Sequence, residues 1–328
     1  MADPVVLSAV PSTDIFKDDI FKGKVLFCTG GGSGICYKIV ERMMRHGADA
    51  AIVGRKADRL SAAAKDLEKA VPGRKCIATP GDVRKVDDLA AAVKKTVETF
   101  GRIDFVIAGA AGNFLAPIEG ISSNAFRTVQ EIDLVGTYNT IKATLDELKK
   151  SHGAYIHISA TLHYYGLAWQ GPASAAKAGV DSLSATTAIG ECSLLRHPNS
   201  SDPSTCSPPA QPPCRLLDDS PSPELGPWGI RSNVIAPGPI AGTEGLERLT
   251  PKGAQESLAA MVPMQRVGQK DDIANAAVFL FSPAASYVTG TKLVVDGGAW
   301  QTAGAWLPYP DSTLDAKGLR DMIVGSKL

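Results

Sequence analysis

The sequence predicts an α/β fold with a doubly wound, seven-stranded parallel sheet in a single domain. Short apolar runs alternate with segments of helical periodicity along most of the 328 residues. This alternation is typical of a parallel sheet whose two faces are covered by helices. Apolar residues make up 44% of the chain, which is enough for a buried core. A glycine-rich turn between the first apolar run and the first helical segment indicates the Rossmann type of this fold.

Strands and helices are expected in regular alternation over the first part of the chain. Each expected strand is a short, mostly apolar run, and each expected helix carries its apolar residues at spacings of three and four. The strands expected here are 24–29, 50–54, 76–79, 104–108 and 154–159. The helices that follow them are 33–47, 56–70, 85–100, 125–150 and 173–191.

The alternation is interrupted once and then resumes. Residues 192–225 hold eight of the 22 prolines and three of the six cysteines, with Ser, Asp and Asn clusters between them. Such a segment cannot bury enough apolar surface to offset its ordering entropy. We therefore expect a disordered insertion there, either a genuine insertion or a translated intron. A strand at 230–236, a helix at 271–281 and a last strand at 292–295 complete the expected domain.

These elements set the expected boundaries along the chain. Residues 1–20 are expected to form an N-terminal extension, and residues 21–305 the domain that carries the insertion. Residues 306–328 are the expected tail, which ends in Ser326-Lys327-Leu328. That tripeptide is the address bound by the peroxisomal import receptor, so it predicts the peroxisome matrix as the location.

Composition argues against several classes of function. The 34 basic and 34 acidic residues balance, so no net field attracts nucleic acid. No run of 18 apolar residues is present, so no membrane span is expected. The six cysteines show no CxxC pair or His-supported metal spacing, which predicts reduced thiols and no metal site.

Two segments carry the chemistry of a nucleotide site. Gly30-Gly31-Gly32-Ser33-Gly34-Ile35 follows the first strand and opens the first helix. Glycines there let the backbone approach a pyrophosphate, and the helix N-terminus attracts its charge. The second strand ends in Gly54-Arg55-Lys56, where an NAD enzyme usually has an acid for the ribose hydroxyls. Arginine and lysine suit a 2′-phosphate instead, so we expect NADPH/NADP+, with ordinary solvated charges as the alternative.

The segment Pro172-Ala173-Ser174-Ala175-Ala176-Lys177 follows the fifth strand. Together with the glycine-rich turn, it resembles the active-site helix of the short-chain dehydrogenase/reductase superfamily. That family carries Tyr four residues before the lysine as its general acid/base. Here the position is Ala173, which has no proton to give. Either the enzyme is dead, or it belongs to a branch whose chemistry does not need the phenol.

A narrower resemblance favours the second possibility. Five short motifs are similar to the peroxisomal 2,4-dienoyl-CoA reductases, and the terminal tripeptide agrees with them. The motifs are Ala110-Ala111-Gly112-Asn113-Phe114, Ile132-Asp133, Ala236-Pro237-Gly238-Pro239-Ile240-Ala241-Gly242-Thr243-Glu244-Gly245, Ser286-Tyr287-Val288-Thr289-Gly290 and Asp296-Gly297-Gly298-Ala299-Trp300.

The resemblance implies NADPH-dependent reduction of 2,4-dienoyl-CoA to trans-3-enoyl-CoA in auxiliary β-oxidation. Hydride addition at C5 spreads charge to the thioester oxygen, which needs hydrogen-bond stabilisation. The α carbon then needs a proton, which an acid-bound water can deliver, so no tyrosine is required. The resemblance assigns Asp133 and Asp296 to the acid machinery, and Lys177, with Ser174 on the same helix, to the remaining catalytic groups. Desolvation beside an apolar channel would raise a carboxyl pKa, as a proton donor requires.

The resemblance also implies two sets of binding residues and an assembly. The cofactor set is Gly30, Gly31, Gly32, Ser33, Gly34, Ile35, Arg55, Lys56, Asp82, Val83, Ala108, Lys177, Pro237, Gly238, Pro239, Ile240 and Thr243. The coenzyme A and acyl set is Arg55, Arg84, Phe114, Ser122, Ser123, Asn124 and Arg248. Residues 244–264 are expected to form a flap over the acyl chain, and the relatives are usually homotetramers.

Simpler interpretations stay open at this point. Asp133 could hydrogen-bond within a helix kink, and Asp296 could serve the Gly-Gly turn that it begins. Tyr164 and Tyr165 could line the substrate pocket or supply a substitute acid. For the whole chain, the alternatives are a peroxisomal trans-2-enoyl-CoA reductase, against which Ala173 argues, and an inactive NADP(H)-binding protein.

Overall fold

The computed structural model describes residues 12–189, 225–249 and 255–303, without the side chains of 248, 249 and 255–257. The expected insertion at 192–225, apart from Leu225, lies outside the described residues. So do residues 1–11 of the expected N-terminal extension and the tail with Ser326-Lys327-Leu328.

Seven parallel strands form the sheet, which confirms the predicted α/β fold. They are β1 Val25–Thr29, β2 Asp49–Gly54, β3 Cys76–Pro80, β4 Phe105–Ala108, β5 Ala154–Ile158, β6 Arg231–Pro237 and β7 Lys292–Val295. Their order in the sheet is β3-β2-β1-β4-β5-β6-β7. The order reverses between β1 and β4, which is the switch point where ligands bind in such sheets.

Ten α-helices are present in the described part of the chain. They are α1 Gly34–Arg45, α2 Ala57–Ala70, α3 Val86–Phe100, α4 Ser123–Gln130, α5 Gly136–Ser151, α6 Gly171–Ile189, α7 Glu244–Leu249, α8 Gln255–Met261, α9 Lys270–Phe281 and α10 Ala299–Thr302. The end of α3 shows how the sequence sets a boundary: Gly101 has a φ of 78°, the left-handed conformation that glycine adopts without strain at a helix C-terminus.

One expected helix is divided in the structure. The sequence predicts a continuous helix at 125–150, but a π-helical turn over Glu131–Val135 separates α4 from α5. Such turns insert an extra residue into a helix and are frequent at functional sites. The turn contains Asp133, so the deviation from the expected helix falls on a predicted catalytic residue.

Both faces of the sheet are covered by apolar side chains. On one face, α1 and α9 pack together and bury side chains such as Ile39, Met43 and Val278. On the other face, α3 and α5 pack together and bury side chains such as Val106 of the sheet and Leu89 of α3. Strands buried on both faces explain why the predicted strands are nearly continuous apolar runs.

The N-terminal segment from Ser12 onward packs against the domain. Ser12 Oγ is hydrogen-bonded to His46 Nε2 at 2.7 Å, and the rings of Phe16 and Phe21 contact the same histidine edge-on. The domain's contacts therefore begin before residue 21, where the sequence places its start. In the described residues, no helix is long and apolar enough to cross a membrane.

Candidate active site

The glycine-rich turn brings backbone close to backbone at the switch point of the sheet. Gly30 has a φ of 74°, and a Cβ on it would lie 2.7 Å from the carbonyl oxygen of Gly109. Ser33 precedes α1 but makes no side-chain capping bond to it. The first N–H groups of α1 therefore remain available to a pyrophosphate. These features fit a dinucleotide, which no side chain in the turn would obstruct.

Cys36 takes the position of the family's third glycine, and the structure shows how it fits. Its thiol donates to the carbonyl oxygen of Gly109 at 3.7 Å. A Cβ on Gly109 would collide with this sulfur. The thiol therefore packs closely here because its neighbour across the turn is a glycine.

Charged groups cluster at the ends of β2 and β3. Arg55 and Lys56 are exposed where β2 leads into α2. Asp82 accepts two-pronged hydrogen bonds from the Arg84 guanidinium at 2.5–3.1 Å. The Arg84 hydrogen bonds hold the pKa of the Asp82 carboxyl below its usual range, and the charge of Arg55 adds to the effect. Arg84, predicted to bind coenzyme A, thus already has an anionic partner in the protein.

Asp133 and Lys177 meet in the centre of the site. Asp133 is only 1% exposed. Its Oδ1 accepts a hydrogen bond from the Gly112 N–H at 2.7 Å, and its Oδ2 lies 3.2 Å from Lys177 Nζ. The same Nζ donates to the carbonyl oxygen of Ile158 at 2.9 Å. The pair thus joins the π turn, α6, the end of β5 and the loop after β4.

Two other residues of the family motif, Ala173 and Ser174, also lie on α6 but do not join the Asp133–Lys177 pair. Ala173 is buried, as the family's tyrosine position would be, but it brings no hydroxyl. Ser174 donates its Oγ to the carbonyl oxygen of Leu162 at 3.2 Å, away from the Asp133–Lys177 pair. Its catalytic role stays a prediction, and its observed contact holds the loop after β5 against α6.

Asp296 lies at the end of β7 and is hydrogen-bonded through both oxygens. Oδ1 accepts from the Gly298 N–H and Oδ2 from the Trp300 N–H, each at 2.8 Å. A Cβ on Gly238 would lie 2.5 Å from the Asp296 Cβ, so the loop after β6 packs closely against the backbone and Cβ of Asp296. These contacts show the structural role that the sequence left open, and a part in proton transfer stays a prediction.

A second buried carboxylate, Asp181, lies one helical turn beyond Lys177. Its Oδ2 is hydrogen-bonded to His163 Nε2 at 2.8 Å and to the Tyr164 hydroxyl at 3.2 Å. Burial alone would raise the pKa of Asp181, but hydrogen bonding to His163 and the charges nearby lower it below its usual value. Burial and the charge of Asp181 raise the pKa of Tyr164, which makes this phenol a poor acid.

The predicted residues of the substrate end have mixed surroundings. Ser122 caps α4 by accepting from the Ala125 N–H at 3.1 Å, while Ser123 and Asn124 are exposed. The Phe114 N–H donates to the Asn113 side-chain oxygen at 2.8 Å. Arg248 lies on α7, but its side chain is outside the described residues.

Other predicted cofactor residues lie at the carboxyl ends of β4 and β6. Ala108 is the last residue of β4, and Pro237 is the last residue of β6. The next residues, Pro239 and Ile240, lead to Thr243, whose Oγ1 donates to the Ile240 carbonyl at 2.8 Å. The loop therefore runs along the carboxyl edge of the sheet before α7 begins.

Sequence reasoning missed two polar residues of this region, Gln170 and Asp181. Gln170 is 3% exposed and accepts a hydrogen bond from the Asn113 Nδ2 at 2.6 Å. Asp181 had one available signal, because it is the single acidic residue of α6 and follows Lys177 by four residues. Gln170 had none, because its partner lies 57 positions earlier in the chain.

Comparison with family models matches most of the chain. Residues 24–190 match the short chain dehydrogenase model, and residues 220–299 match a model described as enoyl-(acyl carrier protein) reductase. Two solved structures share the fold, each with 27% identity. They are a citronellol catabolism dehydrogenase of Pseudomonas aeruginosa, with a TM-score of 0.68 over 88% of this chain and 99% of its own, and a levodione reductase, with 0.71 over 87% and 99%.

Curated relatives are more similar in sequence. A peroxisomal 2,4-dienoyl-CoA reductase of Saccharomyces cerevisiae is 47% identical over 287 residues, covering 87% of each chain. One from Danio rerio is 43% identical, covering 89% of this chain and 86% of its own, and one from Arabidopsis thaliana is 38% identical, covering 89% and 90%. This chain therefore belongs to the short-chain dehydrogenase/reductase family, in the branch of the peroxisomal 2,4-dienoyl-CoA reductases.

Proposed function

We propose that this protein reduces 2,4-dienoyl-CoA to trans-3-enoyl-CoA with NADPH in the peroxisome matrix. The observation that carries the proposal is the buried Asp133–Lys177 pair beside Ala173. A site that reduces simple ketones would need a side chain with an acidic hydroxyl at position 173. A conjugated thioester does not need one, because its reduction leaves the charge on the thioester oxygen and the proton is added at carbon.

The chain's own residues then have distinct tasks. When bound, the nicotinamide supplies the hydride. Lys177 holds Asp133 and the end of β5 together and places a positive charge near the reacting thioester. We assign to Asp133 the proton that a bound water passes to the α carbon, since its carboxyl group is buried at the site and oriented by the Gly112 N–H. Asp296 keeps the opposite wall of the site in place through its two backbone bonds.

The preference for NADPH rests on the end of β2. Arg55 and Lys56 are exposed, so both are free to turn toward a 2′-phosphate. We expect Arg55→Glu to weaken NADPH binding by about tenfold or more while NADH binding changes little, because only the phosphate loses a partner and gains a repelling charge. Fluorescence titration with the two cofactors measures this, and equal losses would contradict recognition of the 2′-phosphate.

Two partners complete the proposal. Ser326-Lys327-Leu328 would bind the peroxisomal import receptor. We expect a homotetramer from the family resemblance, and exposed large side chains, Phe126 on α4 and Tyr138 on α5, at 40% and 48% exposure, are available for contacts between subunits. Light scattering on the purified protein tests the assembly, and a monomer or dimer would exclude a tetramer.

The deciding assay mixes the purified protein with NADPH and hexadienoyl-CoA. Loss of absorbance at about 340 nm, which reports NADPH oxidation, is the expected result. Fluorescence quenching without turnover would instead indicate a binding protein. Running the assay on the full chain and on a form without residues 192–225 shows whether the expected insertion matters. A protein that reduces simple carbonyls but not hexadienoyl-CoA would contradict the proposal.

A further inference from the structure

We infer that the side-chain amide of Gln170 is the hydrogen-bond donor that stabilises charge on the thioester oxygen. The inference rests on the proposed reaction and assigns it a further catalytic residue. Gln170 is almost fully buried immediately before α6, and its Oε1 accepts a hydrogen bond from Asn113 Nδ2 at 2.6 Å. Its own amide N–H groups have no protein acceptor in the described part of the chain.

The orientation of the two amides follows from a third contact. The Phe114 N–H can only donate, and it donates to the Asn113 side chain at 2.8 Å. The atom that receives it must be the Asn113 oxygen, so the Asn113 nitrogen faces Gln170. The atom of Gln170 that accepts is then its oxygen, and its Nε2 group is left as the free donor. This nitrogen is not among the fully enclosed unpartnered atoms of the described residues, so it borders accessible space in which a ligand oxygen can accept from it.

The position of Gln170 relates directly to the missing tyrosine. Its carbonyl oxygen accepts from the Ser174 N–H at 2.9 Å, so Gln170 precedes the first turn of α6. Ala173 lies three residues later, in that first turn, so the two residues are close along the chain. Ala173 is itself buried and carries no hydroxyl. The amide therefore belongs to a residue close along the chain to the position of the family's usual donor.

The surrounding loops hold this glutamine in a strained but defined conformation. Trp169 has a φ of 66°, a left-handed conformation that is unusual for a bulky residue. Its carbonyl oxygen accepts from the Ala116 N–H at 3.2 Å, which joins the loop before α6 to the loop after β4. Strain of this kind persists only where the surroundings determine it, and it is concentrated at functional sites.

The same two loops connect Gln170 to the catalytic pair. Asn113, its partner, directly follows Gly112, whose N–H donates to Asp133. Asp133 in turn contacts Lys177. Gln170 would therefore face the thioester from one side of the site, and the Asp133–Lys177 pair from the other. A neutral donor there stabilises developing charge on oxygen without a proton of its own to lose.

Gln170→Glu is the sharpest test. Its carboxylate can still accept from Asn113 Nδ2, so the loop contact survives, but the donor is replaced by an acceptor. We expect kcat with hexadienoyl-CoA to fall by about 10²-fold, as for loss of one oxyanion donor, and NADPH affinity to stay within about twofold. Gln170→Ala should lose a comparable amount. Near-normal kcat in both variants would overturn the inference.

Gln130→Ala is the matched control. Gln130 Nε2 donates to the Pro172 carbonyl at 2.7 Å. This glutamine therefore anchors the same end of α6, but its amide donor already has an acceptor within the protein. Its removal should change kcat by no more than a few fold. A loss as large as that of Gln170→Glu would mean that any disturbance of the helix start abolishes turnover, and would overturn the assignment.

A spectroscopic measurement separates polarisation from folding. With NADP+ bound, no hydride is available, and hexadienoyl-CoA labelled with ¹³C at the thioester carbonyl stays intact. We expect its carbonyl stretch to lie lower in the wild type than in Gln170→Glu, because the amide polarises the bond. Equal frequencies would overturn the inference. If the wild type does not turn over hexadienoyl-CoA, the proposed function fails instead, which is a distinguishable result.

Discussion

Asp133 and Asp181 are two carboxylates with nearly the same burial and different surroundings. Both are at most 2% exposed; Asp133 contacts α6 through Lys177, and Asp181 is part of α6. Asp133 is bound by one backbone N–H and one lysine. Asp181 is bound by the side chains of His163 and Tyr164, with Lys292 Nζ 4.0 Å away.

The difference lies in what each carboxylate holds. The donors to Asp133 come from the loop after β4 and from Lys177, both of which belong to the proposed active site. The donors to Asp181 come from the loop after β5. The ring of Tyr164 also packs edge-on against the ring of Trp300, with 5.4 Å between the ring centroids. Burial alone thus does not identify a catalytic acid. The location of the donors does, and it predicts chemistry for Asp133 and anchoring for Asp181.

Replacement of Asp133 should have the largest effect on turnover. We expect Asp133→Ala to lower kcat with hexadienoyl-CoA by about 10²-fold or more, because the bound water loses the acid that supplies its proton and Lys177 loses its counter-charge. NADPH affinity should persist, since the glycine-rich turn is untouched. Steady-state kinetics and cofactor titration measure both quantities. Near-normal turnover would remove Asp133 from the mechanism.

Replacement of Asp181 should lower stability more than turnover. Asp181→Ala leaves His163 Nε2 and the Tyr164 hydroxyl without their acceptor, which we expect to cost about 2 kcal/mol of unfolding free energy. Urea unfolding measures the loss, with Ser182→Ala, an exposed neighbour on α6, as the control. A kcat loss as large as that of Asp133→Ala, at unchanged stability, would abolish the distinction between the two carboxylates.

The anchoring by Asp181 should also depend on pH in a defined direction. Burial raises its pKa, but the hydrogen bonds from His163 and Ser159 and the charges of His163 and Lys292 together lower the pKa in the folded protein below its ordinary value. The stabilisation is therefore present above the ordinary aspartate pKa of roughly 4 and is lost as the pH falls through the lower native value. The difference in unfolding free energy between the wild type and Asp181→Asn should therefore decrease as the pH falls over that interval. A difference that stays constant would show that the charge of Asp181 does not contribute to stability.

The fold could be predicted from the sequence because its signals are local. Each strand is an apolar run bounded by a turn, and the observed β2 and β5 differ from the expected 50–54 and 154–159 by one residue. The π turn could not be predicted, since Glu131-Ile132-Asp133-Leu134-Val135 contains no helix-breaking residue. Its extra residue is set by contacts with other parts of the chain, above all the bond from Gly112 to Asp133.

The candidate site could be predicted only where a motif carried it. The glycine-rich turn and Lys177 stand in spacings that have a physical reason, and the resemblance supplied Asp133. Gln170 and Asp181 function through partners far away or through packing, so their roles became visible only in three dimensions. The same holds for Cys36, whose fit depends on Gly109, 73 positions later.

Tyr164→Phe should have the smallest effect and decides between two roles for this residue. It removes one hydrogen bond from Asp181 but keeps the ring against Trp300, so we expect about 1 kcal/mol lower stability. Turnover should stay within a few fold, because burial and Asp181 raise the pKa of this phenol and make it a poor proton donor. Tyr165→Phe is the control, as its ring is the neighbouring tyrosine on the same loop. A kcat loss of about 10²-fold in Tyr164→Phe alone would instead show that Tyr164 replaces the family's tyrosine as the acid. Asp181 would then be the residue that positions its hydroxyl.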